Sequence, residues 1–254
     1  MRRPLGTLLA AVLLLAPAAA HAEPPSLPTG TDVDYQLGGP AYVPDNVGIV
    51  VRDRTATPAP GAFNICYVNG FQTQPDARRF WLARRDLLLQ DADGRLVADE
   101  AWGEWLLDLR TPAKRERLAR IVGRWTAGCA RDGFDAVEYD NLDSFTRSRG
   151  LLRARQATAY ARLLTAAAHD AGLAAGQKNR AGWDGTRAGY DFAVAEECGR
   201  YDECNAYTDV YGDQVLVVEY RRRVFRKTCE GFGDLLAVVL RDRDLTPDGV
   251  RRWC

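Results

Sequence analysis

Histidine is almost missing from this chain: only His21 and His169 occur in 254 residues. A zinc site built on two or three histidines is therefore excluded, and a Ser-His or Cys-His mechanism would have to run through His169 alone. His169 closes an Ala/Leu-rich helical run, Gln156 to Gly172. The dipole at a helix C-terminus favours a histidine there, and its ring can bond free carbonyls, so a structural role is expected. No Cys-x-x-Cys spacing occurs among the six cysteines, which argues against a metal cluster or redox thiol pair. Neither charge sign dominates, with 34 basic and 34 acidic residues, so nothing points to a nucleic-acid partner. Beyond the N-terminal stretch no apolar run is long enough to cross a bilayer. No Gly-x-Gly-x-x-Gly turn follows a strand-like run, and no Walker-type phosphate loop is present. No Ser/Gly linker, charge block or short repeat divides the chain. One domain, without cofactor or metal, is the expectation.

The N-terminus is the most legible segment. Arg2 and Arg3 precede the apolar stretch Leu5 to Leu15, and Ala20-His21-Ala22 supplies a small-x-small cleavage pattern before Glu23-Pro24-Pro25. This is the pattern of a secretory signal peptide over residues 1–22, cut after Ala22. Cleavage removes Arg2 and Arg3 and no acid, so 34 basic residues become 32 against 34 acidic, a net charge near −2. His169 is then the sole histidine of the domain over residues 23–254. An even cysteine count after a secretory signal predicts disulfides. Cys198 and Cys204 are close enough to close a small loop, and Cys229 with Cys254 would tie down the C-terminus, which leaves Cys66 with Cys129. That is one of fifteen possible pairings.

From residue 33 onward β-rich runs alternate with helical ones. The runs that read as strands are Val33–Leu37, Val47–Asp53, Phe63–Asn69, Leu106–Arg110, Phe134–Asp140, Leu173–Asn179, Phe192–Glu197, Val215–Tyr220 and Leu235–Asp242. Helices are predicted over Pro112–Ala130, with Thr111 as cap and Pro112 at the first position, and over Arg153–Ala171 and Arg221–Cys229. Such alternation implies parallel strands joined by right-handed crossovers. Nine strand candidates in about 230 residues fit an α/β fold, an eight-stranded (β/α)8 TIM-type barrel with one extra segment.

Nearly every strand run ends in a polar or charged group: Asp53, Asn69, Asp108 with Arg110, Glu138 with Asp140, Lys178 with Asn179, Glu196 with Glu197, Glu219, and Arg241 with Asp242. A barrel whose site lies at the C-terminal face has this look. Water near strand ends accounts for part of it, but less well for carboxylates at successive tips. With histidine and metal clusters set aside, paired carboxylates are the general machinery that remains. Glycoside hydrolysis needs two, one protonated to donate to the leaving oxygen and one ionised to attack or to activate water. Asp140 and the Glu196-Glu197 pair are the strongest candidates.

Several segments, in this order, carry a family resemblance: Asp34-Tyr-Gln-Leu-Gly38, Asn64-Ile-Cys-Tyr67, Gly133-Phe-Asp-Ala-Val-Glu-Tyr-Asp-Asn-Leu-Asp143, Gln177-Lys-Asn179, Ala193-Val-Ala-Glu-Glu-Cys198 with Tyr201-Asp-Glu-Cys204, and Val218-Glu-Tyr220. Together they resemble glycoside hydrolase family 114, the endo-α-1,4-polygalactosaminidases, over roughly residues 33 to 220. The resemblance implies a secreted β/α barrel that cleaves galactosamine-rich polysaccharide with retention, through a strand-end Asp and a strand-end Glu. The Asp falls on Asp140, as general acid/base. The family's Asn-Glu-x-Cys pattern points to Glu196 as nucleophile, although Ala195 stands where the Asn is expected. A polysaccharide is then the expected partner and a monomer the expected state.

Side-chain alternation gives the other answer. If bulky Phe192 and Val194 face the helices, small Ala193 and Ala195 face the barrel axis and Glu197 follows them inward; a bulge would reverse that phase. Both Glu196 and Glu197 therefore stay candidates. Glu138 shares the phase of Asp140, one layer lower, and can orient it or raise its pKa. Lys178 is placed to bond a carboxylate or a sugar hydroxyl. Asp53, Tyr67, Asn69, Glu219 and Tyr220 are subsite candidates, tyrosines being able to stack on sugar faces. A ring of Asp53, Asp108, Glu138, Asp140, Glu196, Glu197, Glu219 and Asp242 would concentrate a polycationic amino-sugar chain. Two rivals are a non-catalytic carbohydrate-binding barrel and a calcium site on Asp140, Asp143 and the Glu pair; no EF-hand-like spacing supports the second.

Overall fold

The computed structural model describes residues 23–254, so the expected signal peptide lies outside the described residues. Eleven strands and six helices follow in chain order. The strands are β1 (Asp32–Gln36), β2 (Val47–Asp53), β3 (Phe63–Asn69), β4 (Ala98–Asp99), β5 (Glu104–Trp105), β6 (Ala136–Asp140), β7 (Ala174–Lys178), β8 (Phe192–Glu196), β9 (Val215–Glu219), β10 (Ala237–Arg241) and β11 (Arg251–Trp253). The helices are α1 (Arg78–Leu82), α2 (Pro112–Asp132), α3 (Ala154–Asp170), α4 (Cys198–Tyr201), α5 (Cys204–Tyr211) and α6 (Arg222–Phe232).

The main sheet runs β1-β2-β3-β6-β7-β8-β9-β10-β11. Every neighbouring pair is parallel except β10 with β11. The eight parallel strands curl into a nearly closed α/β barrel, the expected fold. Side chains rather than a hydrogen-bonded ladder bridge its seam. Arg241 of β10 and Arg251 of β11 reach Asp34 of β1 at 3.4 and 2.9 Å, and the Trp253 indole donates to the Val33 carbonyl at 2.8 Å.

One predicted strand is corrected. Leu106–Arg110 is not a barrel strand, because β3 pairs directly with β6. Leu106 and Leu107 make isolated bridges to Gln72 and Leu88 instead. The apolar run that mimicked a strand is buried among Phe71, Trp81 and Leu87 to Leu89, in a layer outside the barrel. The ninth strand of the sheet is β11, which the sequence reading did not include.

The three predicted helices form as α2, α3 and α6, while α1, α4 and α5 were not predicted. Thr111 accepts the Lys114 amide at 3.3 Å as N-cap of α2, with Pro112 at its first position. The stripe Leu118, Ile121, Val122, Thr126 and Cys129 is buried, the spacing of a core-facing helix. Gly133, left-handed at φ 94°, stops the helix as only glycine does without strain. Cys66 of β3 is joined to Cys129 of α2, Cys198 to Cys204, and Cys229 to Cys254, the expected pairing. His169, in the last turn of α3, bonds Asp191 at 2.8 Å, a fastening of helix to loop.

Inside the barrel sit Val33, Tyr35, Ile49, Val51, Ile65, Ala136, Ala174, Phe192, Val194, Leu216, Val218 and Val239. This overturns the alternation argument for β8. Phe192 and Val194 point inward, whereas Ala193 and Ala195 pack in the outer layer with Tyr207 and Tyr211 of α5. The large ring fits because its neighbour is Gly176, where an added Cβ would lie 2.5 Å from it. Volume is complementary between strands, so the bulk of one strand's own residues does not reveal its inward face.

Candidate active site

The inward phase set by Phe192 and Val194 carries Glu196 into the mouth of the barrel. The same alternation brings up Tyr67 on β3, Glu138 and Asp140 on β6, Lys178 on β7 and Tyr220 just after β9. A cleft of 540 Å³ opens there, lined among others by Tyr35, Asp53, Tyr67, Asp140, Lys178, Glu196 and Tyr220.

Lys178 is the hub. It is 3% exposed, and its Nζ lies 3.1 Å from Glu138 Oε1, 3.7 Å from Asp140 Oδ2 and 3.6 Å from Glu196 Oε2. It donates to the Tyr35 hydroxyl at 2.8 Å, which donates to Glu138 at 2.7 Å. Burial works against the ammonium, but the carboxylates of Asp140, Glu138 and Glu196 outweigh it and raise the Lys178 pKa well above its ordinary value. Three carboxylates share this one cation.

Each carboxylate is held differently. Asp140 accepts the Tyr67 hydroxyl at 2.8 Å and the Asn141 amide at 2.6 Å. Glu196 accepts the Tyr220 hydroxyl and, at 3.5 Å, the Asn179 amide group. Burial alone would push the Glu196 carboxyl up; Lys178, Tyr220 and Asn179 together hold it below the usual carboxylate range. Glu138 is fully buried beneath the cleft, and burial, with the Asp140 charge, raises its pKa despite Lys178 and Tyr35. Its Oε2 has no partner. The nearest oxygens of Asp140 and Glu196 can be no farther apart than the sum of their contacts to Lys178 Nζ. That bound spans both the ~5–5.5 Å spacing of carboxylates that act as acid and nucleophile and the shorter part of the ~6.5–9.5 Å range of inverting pairs.

Other predicted residues are placed elsewhere. Glu197 is left-handed at φ 57° and turned out of the cleft, its carboxylate bound by Arg200 at 2.9 Å and Arg243 at 3.4 Å. Glu219 alternates outward with Val217, lies fully buried and accepts the Gly199 amide at 2.8 Å. Burial pushes its carboxyl up to about 7, but it is not a cleft residue. Asn69 sits behind the wall, accepting from Asn141 at 3.0 Å and donating to Glu104 at 2.8 Å. Asp108 is consumed by Arg110 and Lys114 at 2.8 and 2.6 Å, and Asp242 by the Thr246 turn. Asp99, Glu104, Asp143 and Asp244 line the cleft in their stead, Asp99 and Asp143 both paired with Arg147. Glu104 and Trp102 were missed because the excursion between β3 and α2 has no barrel periodicity to place them.

The sequence model of glycoside-hydrolase family GH114 matches residues 15–254. The chain belongs to glycoside hydrolase family GH114. The match runs beyond the motifs of residues 33 to 220 and takes in β10, β11 and the C-terminal disulfide. Among solved structures, this GH114 chain is similar to Ega3 of Aspergillus fumigatus, determined in complex with galactosamine: TM-score 0.72, 20% identity, covering 93% of this chain and 99% of that one. It also resembles the glycoside hydrolase domain of PelA from Pseudomonas aeruginosa, at TM-score 0.55 and 16% identity, over 86% and 97% of the two chains. At such identities the likeness is one of fold. Comparison with curated protein sequences gives no match. Membership makes the chain a glycoside hydrolase and makes this cleft its candidate active site. Among the described residues no helix is long and apolar enough to cross a membrane.

Proposed function

We propose that this GH114 enzyme is secreted and cleaves α-1,4-linked galactosamine-containing polysaccharide with retention, Asp140 acting as acid/base and Glu196 as nucleophile. The observation that carries the reading is the shared ammonium: Lys178 holds Asp140 and Glu196 together at the cleft, within 3.7 Å of one atom. Glu196, kept ionised by Lys178 and Tyr220, attacks the anomeric carbon as Asp140 protonates the departing glycosidic oxygen. Asp140 then takes a proton from water, which displaces Glu196 and restores both groups. Glu138, fully buried beneath Asp140 and 3.1 Å from Lys178 Nζ, holds the lysine in place between the two cleft carboxylates. Asp53, Asp99, Glu104, Asp140, Asp143, Glu196 and Asp244 line the cleft against Arg147, Lys178 and Arg243, and this formal excess of acid suits an unacetylated amino sugar. The galactosamine in the Ega3 crystal structure agrees with that substrate class. The N-terminal signal pattern and three disulfides fit an oxidising compartment.

The test is release of new reducing ends from partially deacetylated α-1,4-galactosaminogalactan by the secreted protein, with Asp140→Asn, Glu196→Gln and chelator arms. Expected are wild-type activity, its loss in both variants, indifference to chelator, and a first product with the α configuration. No release from any amino-sugar polymer defeats the proposal. A first product of β configuration defeats retention alone.

A further inference from the structure

The β4–β5 hairpin presents the most exposed tryptophan among the described residues to the cleft. Trp102 is 59% exposed and lines the cavity, whereas Trp81 and Trp105 are at 1% and 8%. Leaving such a ring in water forgoes the burial that its neighbours enjoy. Nor is it left out by looseness. The Asp99 side chain accepts the Ala101 amide at 3.0 Å and its carbonyl accepts the Gly103 amide at 2.8 Å, with Gly103 left-handed at φ 67°. Ion pairs from Asp99 to Arg147 at 2.7 Å and from Glu100 to Arg149 at 2.8 Å fasten the hairpin to the segment after β6. A tied turn therefore holds an unpacked aromatic face over the site.

Glu104, next along the same hairpin, also lines the cleft. Its Oε2 accepts from Asn69 at 2.8 Å, and none of the described hydrogen bonds involves its Oε1. Burial, with the charges of Asp140 and Asp99 adding to it, pushes the carboxyl up to about 7 although Asn69 and Arg147 pull it down. A cation arriving from solvent would relieve that cost.

We propose that Trp102 and Glu104 form a subsite, flanking the Asp140–Glu196 pair, that selects an unacetylated hexosamine: the sugar face stacks on the indole and the ring's ammonium pairs with the Glu104 carboxylate. Both elements discriminate in the same direction. An ammonium gains from the carboxylate and from the aromatic face, whereas an acetamido group is neutral and leaves the part-buried Glu104 without a cation on its Oε1. The assignment rests on the amino-sugar reading above and makes the β3-to-α2 excursion the specificity wall.

The test pairs kinetics with indole fluorescence on wild type, Trp102→Ala and Glu104→Gln, using α-1,4-galactosamine oligomers and their fully N-acetylated counterparts. Galactosamine oligomers should change wild-type fluorescence. Trp102→Ala, at an exposed position that leaves folding intact, should lose that response and raise KM roughly tenfold, with kcat within about threefold. Glu104→Gln should bring the preference for unacetylated over acetylated oligomers to within about twofold while kcat on saturating polymer persists. Wild-type cleavage with unaltered KM and preference in both variants overturns the subsite and leaves the proposed function standing. If wild type cleaves nothing, the proposed function fails. A fluorescence response that disappears in Trp102→Ala still supports the subsite in that case, and its absence in wild type overturns it.

Discussion

Replacing Lys178 by Met removes the one cation among three carboxylates and keeps much of the side-chain volume. The cost follows from burial. Lys178 and Glu138 are 3% and 0% exposed and 3.1 Å apart, and breaking one partner of such a buried pair costs roughly 3–5 kcal/mol. Folding stability is commonly about 5–15 kcal/mol, so the variant should fold. In a domain of this size each kcal/mol is worth about 2–4 °C, giving a fall in Tm of some 6–20 °C at neutral pH. The pH dependence is the sharper signature. Without the ammonium, the Glu138 carboxyl, already raised by burial, goes higher, and the Glu196 carboxyl, freed of the main pull against its own burial, rises too. A group whose folded pKa is raised stabilises below its unfolded pKa, and that contribution is lost as pH rises through the folded pKa. The deficit should therefore be largest at pH 8 and shrink towards pH 4.5. Thermal unfolding of wild type and variant, followed by circular dichroism at both pH values, measures it. The acid limb of the pH–rate profile should move upward in parallel, because Glu196 no longer ionises at its depressed value. An equal Tm deficit at pH 4.5 and 8 would refute the reasoning, since it would make Lys178 a packing residue.

Glu196→Gln should lower kcat by on the order of 10³-fold or more, while Glu197→Gln stays within about threefold because its carboxylate faces Arg200 and Arg243; reducing-end assays on both variants decide between the neighbours. Glu219→Gln should stabilise the fold above pH 7, by about 1–3 kcal/mol from the displacement of its carboxyl to about 7, and the gain should vanish near pH 4.5. Equal denaturant midpoints at both pH values would contradict it. Gly176→Ala should destabilise by roughly 1–3 kcal/mol, since the new methyl would sit 2.5 Å from the Phe192 ring; chemical denaturation reads this directly.

The sequence was informative wherever local physics sufficed. Strand bodies and tips, the Thr111–Pro112 helix start and the scarcity of histidine all follow from residue type and period. So do Asp140 at the end of β6 and the expectation of a carboxylate pair. Disulfides were expected from the even cysteine count, and short separations suggested Cys198–Cys204 and Cys229–Cys254, with Cys66–Cys129 following only as the remaining pair. Residues 106 to 110 misled for an equally physical reason: an apolar run of strand length buries itself equally well in an outer layer, and nothing local says which neighbour it will meet.

What the tertiary structure alone decided is which acids share a space. The sequence by itself determined that carboxylates crowd the strand ends, and it left Glu196 and Glu197 both as candidates to face Asp140. Which of those two enters the cleft turned on Gly176 of the neighbouring strand, whose missing side chain lets Phe192 turn inward and carries Glu196 with it. Lys178 became the hub only once three strands closed around it. The hairpin with Trp102 and Glu104 entered the site through a non-periodic excursion. Inward phase and cross-strand volume are properties of neighbours in space, and a one-dimensional pattern does not contain them.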